Sequence, residues 1–195
     1  MKLKEFDEKR TPQEAIKQDC QPYLQSVTDP LRLFRGMAYE GKMSLLRKQI
    51  RLNDRKPKAM NDEIHNVIND YFTREFGEPF RNALFVISNS NLASSFGIVY
   101  NIFPIGEFTY LWSPKVEDLN YNILNGALET SPGKSKEDLI DELHHQLSKY
   151  HYRTHGLNDA LDFKHEIMIR CKEYYALPKQ YIDHVGAPFF RKMIK

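Results

Sequence analysis

The sequence contains little cysteine, little net charge and no long apolar run, and each shortage excludes a class of protein. Its two cysteines, Cys20 and Cys171, lie far apart, which suits neither a disulfide framework nor a metal knuckle and fits a reducing compartment. A net charge of +2 gives no strong field to attract nucleic acid or an anionic membrane. No stretch approaches the roughly 20 apolar residues of a membrane helix.

Two kinds of motif are also missing. The opening MKLKEFDEKR has no apolar run after its lysines and is not typical of a secretion signal, so we expect a cytoplasmic protein. Neither a GxxxxGK nor a GxGxxG phosphate loop occurs, which disfavours nucleotide hydrolysis.

What is present favours one α+β domain. The chain has 195 residues, 41% of them hydrophobic, enough for a substantial core. We expect an N-terminal helical segment over residues 1–30, packed on a single domain over residues 31–195.

Helix and strand signals alternate along the chain. Helices are predicted after Thr11, after Asn61 as far as Gly77, and after Ser135, because each start has a capping side chain. The runs ALFVIS, GIVYNIF, FTYLW, EIMIRC and EYYAL are rich in β-branched and aromatic residues and predict strands. The polar stretches 39–60 and 151–163 are predicted to be connections, and residues 185–195 a basic tail.

Three strand fragments each carry a polar residue that a strand does not need. They are LFRGM at 33–37, FVISNS at 85–90 and KHEIMI at 164–169, and the residues are Arg35, Ser88 and Glu166. Alone, such an arginine pairs with a surface acid, such a serine caps a helix or turn, and such a glutamate adds edge solubility. Together they can build one polar pocket at a sheet surface.

In this order, the fragments resemble the NAD-dependent ADP-ribosyltransferases of the Arg–Ser–Glu class, which includes bacterial toxins and phage-encoded enzymes. The resemblance spans roughly residues 30–177. It implies a split mixed or antiparallel β core with flanking helices, and NAD as co-substrate. For a phage-encoded member it implies action in the host cytoplasm.

The resemblance also implies roles for individual residues. Arg35 would hold the phosphate and ribose with its planar fork of donors, and Gly36 the nicotinamide amide. Glu166 would stabilise the oxocarbenium character that develops when nicotinamide leaves. Ser88 would position Glu166 and contact the ribose. Ser90 would support the backbone of its motif. Phe96, or less favourably Tyr100, would stack on the nicotinamide ring.

The acceptor of ADP-ribose is less clear than the donor. Members that modify arginine often carry Glu or Gln two residues before the catalytic glutamate, where this chain has Lys164. With His165, Arg153 and Arg170, this residue would make the acceptor side basic, which suits an acidic protein surface or a nucleic acid. The alternative is a catalytically inactive member of the fold that serves as a phage structural or host-interaction component.

Three other features have competing interpretations. Residues Arg55–Lys58 are either a solvated loop, a basic flap over an anionic ligand or part of a nucleic-acid-binding surface. Cys171 lies in an apolar pattern typical of inert packing rather than of a nucleophile. Four histidines invite a metal hypothesis, but no carboxylate or cysteine completes a set, so we expect no metal site. They are His144, His145, His151 and His155.

Overall fold

The structure is a computed structural model that describes residues 10–39, 44–53, 55, 60–126 and 135–194, without the side chains of 124–126 and 136. Residues 1–9 of the predicted N-terminal segment and Lys56–Lys58 of the predicted flap lie outside the described residues.

The described residues form a mixture of helices and strands along the chain. The helices are α1 (Pro12–Asp19), α2 (Gln21–Ser26), α3 (Asp62–Phe76), α4 (Ser90–Ser94), α5 (Leu119–Gly126), α6 (Lys136–Lys149), α7 (Leu157–Phe163), α8 (Lys179–Val185) and α9 (Ala187–Ile194), with a 3₁₀ turn at Phe80–Asn82. The strands are β1 (Phe34–Met37), β2 (Leu46–Gln49), β3 (Leu84–Ile87), β4 (Ile98–Ile105), β5 (Thr109–Trp112), β6 (Glu166–Arg170) and β7 (Glu173–Pro178).

The strands form one sheet in the order β2-β7-β4-β1-β3-β6-β5, and every registered pair is antiparallel. The predicted α+β class is therefore confirmed. The sheet is weakest where β1 meets β3, because the pair Phe34 and Ile87 is the only registered pair described there, whereas β1 and β4 share four. We call this line the seam. It divides the sheet into a four-stranded half, β2-β7-β4-β1, and a three-stranded half, β3-β6-β5.

Two apolar clusters cover the sheet. The larger joins sheet residues to α1, α2, α7, α8 and α9, with fully buried Tyr23, Phe103 and Tyr175 among its members. The second joins Leu111 and Met168 of the sheet to α3, α5 and α6. Phe34 and Ile87, which pair across the seam, are half-buried, as is the rest of β1.

The predicted helix starts are confirmed. Thr11 with Glu14, and Ser135 with Asp138, form reciprocal capping boxes at α1 and α6. Asn61 caps α3, whose C-terminal cap is the left-handed Gly77. Each of these helices begins at a short polar side chain that accepts a hydrogen bond from a first-turn backbone N–H group, which has no partner within the helix.

Three predictions about connections are wrong. Strand β2 lies within the stretch predicted to be a solvated loop, and it gains its order by pairing with β7. Helix α7 lies within the predicted 151–163 connection, and it buries Leu157, Ala160 and Leu161. The predicted basic tail forms α9, which buries Phe190 and Ile194. In each case tertiary packing stabilises an element whose local signal is weak.

Among the described residues, no helix combines the length and the apolar character needed to cross a membrane.

Candidate functional site at the seam

The fold brings the three predicted site residues to adjacent strands. Phe34 pairs with Ile87 across the seam, and Ile87 pairs with Glu166 between β3 and β6. Arg35 and Ser88 are the next residues along β1 and after β3. The backbones of Arg35, Ser88 and Glu166 therefore meet where the two half-sheets touch.

Glu166 is the first residue of β6 and holds a carboxyl group that burial discourages from ionising. Its Oε1 atom is buried and has no hydrogen-bond partner among the described residues. Burial raises the pKa of Glu166 to about 7, and the nearby Asp118 carboxylate adds to the rise. Arg81, Arg55 and the backbone N–H of Leu119 act in the opposite direction. This carboxyl group therefore changes charge near neutral pH.

Three arginines contact Phe85 beside Glu166, two through its ring and one through its backbone. Arg35 donates from Nη1 to the carbonyl oxygen of Phe85 at 2.6 Å. The guanidinium carbons of Arg55 and Arg81 lie 4.0 and 4.8 Å from the centre of the Phe85 ring. Arg55 also donates to the carbonyl oxygen of Ala83. We call Arg35, Arg55 and Arg81 the arginine cluster.

The positive charges of the arginine cluster repel one another. Burial and the neighbouring charges of Arg35 and Arg81 lower the pKa of Arg55 to about 10. Burial also lowers the pKa of Arg35, against the opposing effects of Tyr174 and Glu166. Guanidinium groups held together in this way suit an anionic ligand with several acceptor oxygens.

A small turn fixes Arg81. The side chain of Asn69 on α3 accepts a hydrogen bond from the backbone N–H of Arg81 at 2.8 Å. The ring of His65 lies within hydrogen-bond distance of Asn69 and of Asn82, at 3.2 and 3.1 Å. This buried network ties the 3₁₀ turn to α3, so Arg81 is held by the scaffold rather than by a mobile loop.

Ser88 does not contact Glu166. Its hydroxyl donates to the carbonyl oxygen of Leu161 on α7 at 2.5 Å. The expected bond that would position Glu166 is therefore not formed in this structure, because the residue after β3 directs its side chain towards α7. Ser90 opens α4, and the residue that caps this helix is Asn89, whose side chain accepts from two backbone N–H groups.

Gly36 and Phe96 meet at the open end of the site. A Cβ atom added to Gly36 would lie 2.1 Å from the carbonyl oxygen of Ala93 and 2.8 Å from Cβ of Phe96, so only glycine lets α4 approach β1 this closely. The side chain of Phe96 is 68% exposed, whereas Tyr100 is fully buried. Of the two aromatics considered for stacking, Phe96 is the one that a ligand can reach.

The expected basic acceptor side is smaller than predicted. Arg170 lies at the other end of β6 from Glu166 and pairs with Glu78 at 2.6 Å, which removes it from that group. Arg153 stacks at 5.7 Å from the centre of Trp112. His165 contacts the carbonyl oxygen of Ser113 through Nδ1 at 3.0 Å. Lys164 is exposed and adopts a left-handed backbone with φ of 61°.

The remaining candidate groups are not at the seam. Cys171 is buried and the pKa of its thiol is raised to about 12 by burial, which is typical of an inert packing residue. Within the described ranges, no three His, Cys, Asp or Glu residues are placed to share a metal ion. Two surface depressions of about 280 and 290 Å³ lie beside Arg170 and beside Leu139, and neither is lined by Arg35, Ser88 or Glu166.

Two members of the site were not found from the sequence. Arg81 and Tyr152 both interact electrostatically with Glu166. Arg81 lies in a short turn and Tyr152 in a stretch predicted to be a connection, so no periodic pattern marked either. Arg55 had been considered as part of a solvated loop, a basic flap or a nucleic-acid-binding surface, and the structure places it in the arginine cluster.

Comparison of this chain with protein-family models, with curated proteins and with solved structures gave no match.

Proposed function

We propose that this chain is an NAD-dependent ADP-ribosyltransferase, which cleaves the bond between nicotinamide and ribose and transfers ADP-ribose to a protein or nucleic acid. The observation that carries the proposal is the meeting of Glu166 with the arginine cluster at the seam. The division of the sheet into halves of four and three strands supports the split core that the resemblance implies.

The arginine cluster suits the pyrophosphate of NAD. A pyrophosphate carries two negative charges on oxygens that accept hydrogen bonds in a plane, and guanidinium groups donate in a matching fork. Arg35 keeps one donor on Phe85 and is thereby fixed in direction. Phosphate binding would relieve the mutual repulsion that lowers the pKa of Arg55.

Glu166 would act on the ribose. In the reaction the bond from ribose C1′ to the nicotinamide nitrogen breaks, and its electron pair leaves with nicotinamide, which becomes neutral. An acceptor nucleophile then bonds to C1′ and loses its proton. The positive charge that develops on the sugar is stabilised by a carboxylate held beside it. Glu166 can serve in its ionised form, which predominates above about pH 7.

The nicotinamide end of the substrate would lie beside Gly36. The Cβ atom and the backbone of Phe96 lie against β1 at this residue, and the side chain of Phe96 is exposed. A planar nicotinamide ring can stack on Phe96 while its amide meets the backbone of Gly36. The contribution of Ser88 is then limited to fixing α7 against the end of β3.

The test is incubation of the protein with NAD labelled in the adenylate, with and without cell lysate, followed by measurement of free nicotinamide and of label in macromolecules. Aliquots treated with protease or nuclease identify the acceptor polymer. We expect Glu166→Gln to keep the fold and to lower nicotinamide release by about 100-fold or more, since it removes the charge that stabilises the sugar.

Glu107→Gln is the matched control, because Glu107 is an exposed glutamate away from the seam. It should retain wild-type release. The proposal fails if wild-type protein releases no nicotinamide with any lysate, or if Glu166→Gln releases it at the wild-type rate.

A further inference from the structure

Three buried polar atoms near the seam have no hydrogen-bond partner within the described part of the chain. They are Oε1 of Glu166, the phenolic oxygen of Tyr152 and Nε of Arg81. Buried polar atoms in folded proteins are nearly always paired, so a group of three in one place points to a function. The three side chains also lie within electrostatic reach of one another.

The sheet register explains why Tyr152 lies near Glu166. Trp112 pairs with Ile167 on one side and forms an isolated antiparallel bridge with Arg153 on the other. Trp112, Ile167 and Arg153 therefore project to one face of the sheet. Because side chains alternate along a strand, the neighbouring Glu166 and Tyr152 project to the other face, where Tyr152 packs in the same cluster as Met168.

Packing holds the ring of Tyr152 in place. Its centre lies 5.0 Å from that of Phe72 and 6.4 Å from that of Tyr150, both in edge-on contact. The hydroxyl therefore cannot turn out to water without leaving this aromatic group. The phenolic oxygen and Oε1 of Glu166 do not bond to each other in this structure, so a hydrogen bond between them forms only if the Glu166 carboxylate turns towards the fixed phenol as it ionises.

Ser88 leaves this role open, because its hydroxyl is committed to the carbonyl oxygen of Leu161. We propose that Tyr152 is the positioning residue of Glu166, and that its phenolic O–H donates a hydrogen bond to the carboxylate once Glu166 ionises. The consequence for NAD cleavage depends on the proposed function, whereas the hydrogen bond itself does not.

The charged groups around Glu166 also affect its pKa. Positive groups face it from three parts of the chain and a negative group from one. The groups are Arg35 on β1, Arg55 before α3, Arg81 on the 3₁₀ turn and Asp118 before α5, with Tyr152 itself facing them from the segment before α7. A titration from pH 5 to 8.5 spans the pKa of about 7 of the Glu166 carboxyl group and so follows its ionisation.

The experiment is a ¹³C NMR titration of the Glu166 carboxyl carbon, assigned from the signal that Glu166→Gln loses. A donor to the ionised form lowers a carboxyl pKa, so Tyr152→Phe should raise the pKa of Glu166 by about one unit. Tyr150→Phe is the matched control, since Tyr150 is the neighbouring ring and, unlike Tyr152, has no resolved electrostatic interaction with Glu166. It should leave the titration unchanged.

A second measurement covers the case in which Tyr152→Phe perturbs packing. The urea midpoint of this variant should match that of the wild type at pH 5 and fall below it at pH 8.5, because the lost bond exists only with ionised Glu166. In a Glu166→Gln background, Tyr152→Phe should have the same effect at both pH values. An unchanged titration, or an effect of Tyr152→Phe that does not depend on pH, would overturn the inference.

The NAD assay separates this inference from the proposed function. If the wild type releases nicotinamide, the pH profile of release should move to higher pH in Tyr152→Phe by the shift seen in the titration. If the wild type releases none while the titration shifts, the proposed function fails and the positioning role of Tyr152 stands. If the wild type releases nicotinamide but Tyr152→Phe does not shift the titration of Glu166, the proposed function stands and the positioning role of Tyr152 fails.

Discussion

At the scale of single residues, Glu166 makes the stability of the fold depend on pH. Its pKa rises from 4.5 to about 7 on folding because the carboxyl group is buried. The folded protein therefore holds this proton more tightly than the unfolded chain does, and the stability that the neutral carboxyl contributes is lost as pH rises from about 4.5 through 7.

We therefore expect Glu166→Gln to gain stability relative to the wild type as pH rises. Glutamine resembles the neutral carboxyl group and has no proton to lose, so the difference in free energy of unfolding should move in its favour by about 2–3 kcal/mol between pH 4.5 and 8. Urea denaturation at several pH values measures this. The same series on Glu107→Gln should show a flat difference, and a flat difference for Glu166→Gln would contradict the burial of this group.

The sequence predicted one pocket containing Arg35 and Glu166, and these two residues interact electrostatically at the seam, while their catalytic roles stay predictions. Residue-level prediction did not foresee that the hydroxyl of Ser88 bonds α7, since a one-residue alternation along β3 decides which face a side chain meets. It also missed Arg81, whose position depends on the buried network around His65 and Asn69. Such a network joins residues far apart in sequence and leaves no local pattern.

At the scale of elements, helix starts were predictable and weak strands were not. The capping boxes at Thr11 and Ser135 are local chemistry that a sequence displays directly. Strand β2 is basic, and its order depends on pairing with β7, including an ion pair of 2.5 Å between Arg47 and Glu173. No such partner can be identified from the residues of β2 alone.

The approach of α4 to β1 gives a prediction at this scale. Gly36→Ala should lower the free energy of unfolding by about 3 kcal/mol, because the new methyl group meets the backbone of Ala93 and must push α4 outward. Gly77→Ala is the control. The space around Gly77 is open, but its φ of 81° is left-handed. Alanine there should therefore lower the free energy of unfolding by about 1 kcal/mol through backbone strain alone.

Urea denaturation of both variants makes the comparison. Under the proposed function, Gly36→Ala should also lose nicotinamide release while Gly77→Ala retains it, since displacement of α4 moves Phe96. Equal losses of stability in the two variants would show that α4 can move away from β1 without lowering the free energy of unfolding further.

At the scale of the whole molecule, the last described helix packs against the first. Helix α9 belongs to the same apolar cluster as α1, and Arg191 of α9 donates to both carboxylate oxygens of Asp29 at 2.8 Å. Elements far apart in the chain thus cover the four-stranded half of the sheet together. The prediction of a basic tail overlooked this role, although Phe189, Phe190, Met193 and Ile194 of α9 are apolar.

Two adjacent phenylalanines test the packing of α9. Phe190 is fully buried and Phe189 is 58% exposed. Phe190→Ala should lower the free energy of unfolding by about 3–5 kcal/mol, and Phe189→Ala by about 0.5 kcal/mol or less. Thermal or urea denaturation distinguishes them, and the two substitutions share the same change in helix propensity. Similar losses would mean that α9 is not anchored through Phe190.

The seam also bears on how the chain folds. Between consecutive strands the chain passes from one half-sheet to the other after β2, β3, β4 and β6. Neither half is a continuous stretch of sequence, so neither can fold, or be released by a protease, as an independent unit. The same interlacing delays most strand pairing until distant segments meet, which favours slow folding in a single cooperative step. Few backbone pairs join the two half-sheets at the seam, and the repeated crossing of the chain between them holds them together.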